Sequence, residues 1–261
     1  MKKIFCFLVV IYSMALLTSQ SNSIVYRSFD SYIAFDGNDV EIGQENMRTN
    51  IITSFKGVYE IREENKVPFI IFTSEDREKH KYLILKNNLL CYVYKENGFN
   101  ISYGMSGSSR RSEGLLISAD EILASSYLKE GNLEYKPDNL NLKFKLGIPW
   151  AEGVPGNGIN ETLTIKLEDI KRLYISIGYV SYQRPYLYEQ NSRPKKLEIS
   201  VKDKFRFEVE LEDTPNYQTI DLPQRLARED NLVIKILEVY QGTKYEDTCI
   251  NSIFYDIIDS K

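Results

Sequence analysis

The sequence predicts an all-β protein in two parts, an N-terminal β-meander or small barrel followed by a C-terminal antiparallel β-sandwich. Three observations carry that prediction. Short runs rich in Tyr, Ile, Val and Phe recur between polar turns along the chain. In the C-terminal half they recur at the roughly 8 to 12 residue spacing of a sandwich or barrel. Between the two sets, Met105 to Glu113 is Gly/Ser-rich and charged with no apolar period, the composition of a solvated linker. The expected boundaries are 1–23 for a leader, 24–104 for the meander, 105–118 for the linker and 119–261 for the sandwich.

At the N-terminus, Lys2 and Lys3 precede the mostly apolar run Ile4 to Leu17, and Ser21-Asn22-Ser23 offers a small-residue cleavage site. This is the pattern of a secretory signal peptide. The run is shorter than the about 20 residues that span a bilayer, so a soluble, exported protein, secreted or periplasmic, is expected, without stable membrane insertion. Cys6 lies too early in the run to be an acylated lipoprotein cysteine. Cys91 and Cys249 remain, and in an oxidising compartment either a bridge or two separate buried thiols is open.

The meander is read from about Ser54 as FKGVYEIREE, VPFIIFTS, HKYLILK, NNLLCYVYK and GFNISYG, with Glu63 to Lys66, Glu75 to Lys79, Asn87-Asn88 and Glu96 to Gly98 as turns. Such a meander would curl into a small barrel or pack onto the next domain. In the second half, ETLTIKL sets Leu163, Ile165 and Leu167 on one face, and RLYISIGYV sets Leu173, Ile175, Ile177 and Tyr179 on one face. KLEISVKDKFRFEVEL is the clearest hairpin: Leu197, Ile199 and Val201 alternate with polar residues, Lys202 to Lys204 turn, and Phe205, Phe207, Val209 and Leu211 resume the period of two. YQTIDL, LVIKILEVY and CINSIFYDII complete seven or eight strands after the lead-in DEILASSYL.

Composition narrows the function classes. A net charge of −4 and a pI near 5.4 give no basic footprint for nucleic acid. His80 is the sole histidine and sits in the charged turn EDREKHK, which removes Ser-His-Asp, Cys-His and multi-His metal chemistry. No pair of carboxylates stands in an apolar, pKa-raising context, so no glycosidase and no other catalytic residue is expected.

Three patches together resemble the discoidin-like jelly-roll domain, of factor V/VIII C type, found as the translocation or glycan-binding module of bacterial NAD glycohydrolases. They are ILASSYL with YKPDNLNL and PWAEGVPGNGINETLTIKL, then YVSYQRPYLYEQNSRPKKLEIS, then KILEVYQGTKYEDTCINSI. The resemblance implies a noncatalytic, galactose-binding-like jelly-roll sandwich that recognises a glycan or glycoconjugate. The meander has motifs too generic to carry a function.

A sugar site needs an aromatic face for the C–H surface of the ring and several placed polar groups for its hydroxyls. Trp150 and Glu152 share one Gly/Pro-rich loop. Tyr179, Tyr182, Tyr186, Tyr188, Asn191 and Arg193 crowd one connection between two strands, more than a connection needs. These eight are the candidate ligand-binding residues. Trp150 also fits the core position of a buried sandwich tryptophan, and the tyrosine-rich connection also fits a hot spot for another envelope or surface protein. Pro155-Gly156-Asn157-Gly158 lacks the Lys-Ser/Thr continuation of a phosphate loop and reads as a turn. Asn160-Glu161-Thr162 is a formal sequon expected to stay unmodified. Asp138, Glu246 and Asp247 are donors of the kind a structural calcium prefers; without an Asp-x-Asp-x-Asp loop they read first as solvated charge, so no cofactor is expected and a structural calcium stays as the open alternative.

Overall fold

The computed structural model describes residues 23–27, 31–46, 51–94, 100–105, 115–116, 122–140, 147–166 and 170–257. The expected leader lies outside them except for Ser23, as do 106–114 and 117–118 of the expected linker, and 119–121 and Leu167 of the expected sandwich.

The first part is a closed, up-and-down antiparallel barrel. Its strands are β1 (Ile24–Arg27), β2 (Ser31–Asp36), β3 (Asp39–Asn46), β4 (Ile51–Glu64), β5 (Val67–Ser74), β6 (Lys79–Lys86), β7 (Leu90–Tyr94) and β8 (Asn100–Met105), and β1 pairs with β8 to close it. The reading from Ser54 onward therefore missed β1 to β3: β1 and β2 are short runs, IVYR and SYIAFD, and in β3 only Val40 and Ile42 stand among Asp, Glu, Gly, Gln and Asn. Asn65 and Lys66 connect β4 to β5 with φ of 52° and 66°. Two successive left-handed residues make the tight hairpin turn whose twist matches its strands.

The apolar runs VPFIIF, YLILK and LLCYV do not alternate because both faces of these strands are covered. Ile70, Phe72, Ile84, Cys91 and Val93 fill the barrel together with Tyr26, Ile33, Phe35 and Val40, as expected of a barrel whose bore is only wide enough for side chains. The alternate residues Val67, Phe69, Leu83, Leu85, Leu90 and Tyr92 face outward and pack on Tyr174, Val180, Tyr188, Tyr217 and Phe254 from the second part. Each side chain fully buried there contributes about 1.5–3 kcal/mol.

That second part is a sandwich of two antiparallel sheets. Its strands are β9 (Leu115–Leu116), β10 (Ile122–Ala124), β11 (Lys129–Glu130), β12 (Leu133–Glu134), β13 (Trp150–Ala151), β14 (Thr162–Ile165), β15 (Ile170–Ile177), β16 (Arg193–Val201), β17 (Phe205–Glu210), β18 (Gln218–Asp221), β19 (Leu232–Tyr240) and β20 (Cys249–Ile257). One sheet has the order β10-β14-β19-β16-β17 and the other β13-β20-β15-β18, with β9 on β20 and β11-β12 as a separate ribbon. Leu163, Ile165, Leu173, Ile175, Ile177, Leu197, Ile199, Val201 and Leu211 fill the space between them, with Phe205, Phe207 and Val209 packed at its margin. Tyr179 does not continue the Leu173 face: Gly178, at φ 84°, turns the chain first. Among the described residues the one α-helix is the single turn α1 (Leu187–Gln190).

β15 is buried on both faces for the same reason as β5 to β7. Leu173, Ile175 and Ile177 face the sandwich core, while Tyr174 and its cross-strand partner Phe254 face the barrel. A polar margin surrounds this apolar seam. Lys66 Nζ pairs with Asp213 Oδ2 at 2.7 Å, Asn65 Nδ2 donates to Glu189 Oε2 at 3.0 Å, Asn87 Nδ2 to Thr219 Oγ1 at 3.2 Å, and the Lys86 amide to Asn216 Oδ1 at 3.1 Å.

Candidate functional site

The connections that leave β15 and β19 and those that enter β16 and β20 meet at one end of the sandwich, because Ile177 lies opposite Ile250 and Arg193 opposite Tyr240. Loops gathered at one end of a rigid sandwich are where such folds carry binding residues. The structure puts the eight candidate residues to three different uses there.

Four of them are internal. Trp150 is fully buried in the sandwich core with its indole Nε1 donating to the Ser126 carbonyl at 3.1 Å. Glu152 is fully buried and accepts from the backbone amides of Val154 at 2.9 Å and Thr248 at 3.2 Å. Burial raises its pKa despite those two bonds. A Cβ on Gly158 would fall 2.2 Å from Glu152 Cγ, and Gly158 sits at φ 61°, so the 153–158 turn closes over this carboxylate only with glycine there. Tyr188 is fully buried, with its hydroxyl 3.2 Å from Asp213 Oδ1. Arg193 is 5% exposed and grips Asp213 with Nε and Nη2 while Nη1 donates to the Asn191 carbonyl at 3.1 Å. The expectation that these four contact a ligand is therefore corrected: rings and charges enclosed on all sides hold the loops, and none presents a face.

Tyr182 belongs to the seam. Its ring meets Phe69 edge-on at 5.6 Å and Tyr94 at 5.8 Å, and its hydroxyl donates to the Lys81 carbonyl at 3.1 Å. With Tyr188 in the same apolar cluster, the partner of this tyrosine-rich connection is the chain's own barrel.

The remaining three, Tyr179, Asn191 and Tyr186, lead to a cavity of about 130 Å³. Tyr179 and Asn191 line it, together with Glu130, Tyr135, Arg184 and Asp247, over a floor that includes Ala151 and Cys249. Tyr135 donates to Glu130 Oε2 at 3.0 Å, the Tyr135 and Tyr179 rings meet edge-on at 6.0 Å, and Arg184 Nη2 donates to the Tyr179 hydroxyl at 3.2 Å. Burial, then Tyr179 and Glu130, hold the Tyr135 phenol well above its usual range, and burial raises Tyr179 as well. Both stay protonated hydrogen-bonding groups. Asn191 is fixed by its own side chain, which donates to the Leu187 carbonyl at 2.9 Å. At the rim, Tyr245 lines the cavity and is 37% exposed, Lys244 Nζ lies 4.8 Å from its ring centroid, and Tyr186 is 44% exposed and interacts with the same lysine.

Sequence reasoning did not select Glu130, Tyr135, Arg184 or Tyr245, and it treated Asp247 as solvated charge. Asp247 is instead partly buried, its pKa raised by burial and by Glu130 and Glu246. Asp138 does not reach the cavity and pairs with Lys136 at 3.1 Å. The signal for the missed residues was present, since Tyr135, Arg184, Tyr245 and Asp247 each sit in one of the three patches whose order carries the resemblance. Cys91 and Cys249 are separate free thiols, one in the barrel and one beneath the cavity; burial raises Cys91 to about 12 and Cys249 well above the thiol range.

Residues 115–256 match the family described as NAD glycohydrolase translocation F5/8 type C domain. No curated protein matches the chain. Among solved structures it is similar to the family 32 CBM from C. perfringens NanJ in complex with galactose, at 16% identity over 54% of this chain and 96% of that one, with a TM-score of 0.37. The family description is that of a translocation domain.

Proposed function

The chain belongs to the NAD glycohydrolase translocation F5/8 type C domain family, and from that premise we propose that it is a noncatalytic, exported binding protein that recognises a carbohydrate in the cavity at the loop end of its sandwich. The observation that carries the reading is the make-up of that cavity. Phenol, amide, carboxylate and guanidinium groups from Tyr135, Tyr179, Asn191, Glu130, Asp247 and Arg184 surround a space of about 130 Å³, with an exposed Tyr245 ring at its rim. Hydroxyls of a sugar need both donors and acceptors at fixed places, and a ring face needs an aromatic plane. The volume is below the 300–1,000 Å³ typical of sites for drug-sized ligands, so it suits one sugar unit, with the rest of a glycan outside.

The reading includes export, which rests on Lys2, Lys3 and the Ile4 to Leu17 run. Recovery of Met1 by N-terminal sequencing of the mature protein would count against it. For recognition, the test is a glycan array followed by calorimetric titration of the full chain and of Arg184→Ala and Tyr245→Ala. Both side chains are exposed, so each variant should fold normally and lose affinity. A chain that binds no sugar at millimolar concentration, or variants that bind as tightly as the parent, would remove the basis of the reading.

A further inference from the structure

We infer, resting on the reading that this cavity holds a sugar unit, that its preferred ligand carries a protonated amine, because Glu130 and Asp247 line the cavity and neither carboxylate has an ion-pair partner among the described residues. The lining holds two carboxylates against one guanidinium. That guanidinium is turned to Tyr179, donating to its hydroxyl at 3.2 Å with Cζ 5.8 Å from the ring centroid. Of the nearby ammonium groups, Lys129 pairs with Glu134 at 3.1 Å and Lys136 with Asp138 at 3.1 Å, while Lys244 stays at the rim over Tyr245 at 4.8 Å.

The two acids differ in depth. Glu130 is at the exposed edge and takes one bond from Tyr135, whereas Asp247 is partly buried. Burial and the charges of Glu130 and Glu246 penalise the Asp247 anion. A ligand ammonium would supply what the wall lacks, donating up to three charge-assisted bonds. A neutral hydroxyl at the same place would make ordinary hydrogen bonds. A ligand carboxylate would add a third negative charge.

The test is calorimetric titration of the full chain at neutral pH with free hexosamine, parent hexose, N-acetylhexosamine and hexuronate in both the gluco and galacto series, repeated on Asp247→Asn and at raised salt. The hexosamine should bind about tenfold more tightly than the parent hexose, the gain of one charge-assisted over one neutral hydrogen bond, and the N-acetyl form should lose that gain. Asp247→Asn should bring hexosamine and hexose close to parity at a melting temperature no lower than the parent's, since it removes an anion that burial disfavours, and salt should weaken the hexosamine selectively. A hexosamine no tighter than its parent, or a hexuronate that binds as well, overturns the charge preference while leaving sugar recognition standing. Failure of every sugar to bind overturns both together.

Discussion

Tyr188 and Tyr186 lie two residues apart in the same tyrosine-rich connection, and their truncation should give opposite results. Tyr188 is enclosed between the barrel and the sandwich, with the Arg193 guanidinium 5.0 Å over its ring and the Asp213 carboxylate at its hydroxyl. Gly178 presses on its far side, where an added Cβ would come within 2.6 Å of Cε2. Space this closely filled does not collapse when the ring is removed. Tyr188→Ala should therefore cost about 3–5 kcal/mol of folding stability, the range for a buried aromatic. For a chain of this size that is a fall in melting temperature of roughly 10 °C. Tyr188→Phe isolates the hydroxyl bond and should cost about 1 kcal/mol. Tyr186→Ala removes a ring that is 44% exposed and should change stability by no more than about 0.5 kcal/mol. Thermal and denaturant unfolding followed by circular dichroism measures all three. A Tyr188→Ala protein that melts with the parent would refute the placement of this ring as packing, and a large loss in Tyr186→Ala would do the same for the exposed rim.

Asp213→Asn should destabilise more than Lys66→Ala, because it strands the buried Arg193 charge while the lysine is 43% exposed; urea midpoints of the two variants decide the order. Burial alone would raise Asp213, yet hydrogen bonds from Arg193 and Lys66 bring it down to about 2. Its contribution is thus intact above pH about 4 and lost as pH falls toward 2. Glu152 and Asp247 are raised by burial, so they bind protons more readily folded than unfolded and stability should rise as pH falls from neutrality through their raised values. A melting-temperature profile with its maximum at neutral or alkaline pH, rather than mildly acidic pH, would contradict this pairing of signs. Gly158→Ala should lower stability and weaken sugar binding together, because the displaced Glu152 releases the Thr248 amide next to Asp247; unfolding and titration on the same sample measure both. Cys91 and Cys249 should resist a thiol reagent in the native protein and both react in denaturant, and a fast-reacting native thiol would contradict their burial.

Much of the fold was legible because the period of two is visible wherever one face of a strand meets solvent. The hairpin at Lys202 to Lys204 is the clearest case, with Asp203 at φ 60° and Val201 paired to Phe205. The seam was not legible for the complementary reason. VPFIIF and LYISI lose alternation once a second surface covers them, and an apolar run does not say which surface that is. The same covering explains the reassignment of the tyrosines. Tyr182 and Tyr188 have the composition of a recognition loop, and they do recognise a protein surface, but it lies in the same chain. Trp150 and Glu152 could not be told from ligand contacts either, since a buried carboxylate bonded to two amides and a sugar-binding carboxylate are the same letter.

The seam also has a kinetic consequence. Its ties join residues far apart along the chain: Lys66 to Asp213 spans 147 positions, and Asn87 to Thr219 spans 132. The barrel's own pairings are nearest-neighbour hairpins apart from the β1–β8 closure. Local pairings form early and distant ones wait on loop closure, so during refolding the barrel wall of Phe69, Leu83, Leu85 and Tyr92 should stay bare until β15 and β20 have paired and brought Tyr174 and Phe254 to it. The expected slow phase of refolding, and the one most open to aggregation, is the covering of that wall, and stopped-flow refolding followed by dye binding to exposed apolar surface checks it.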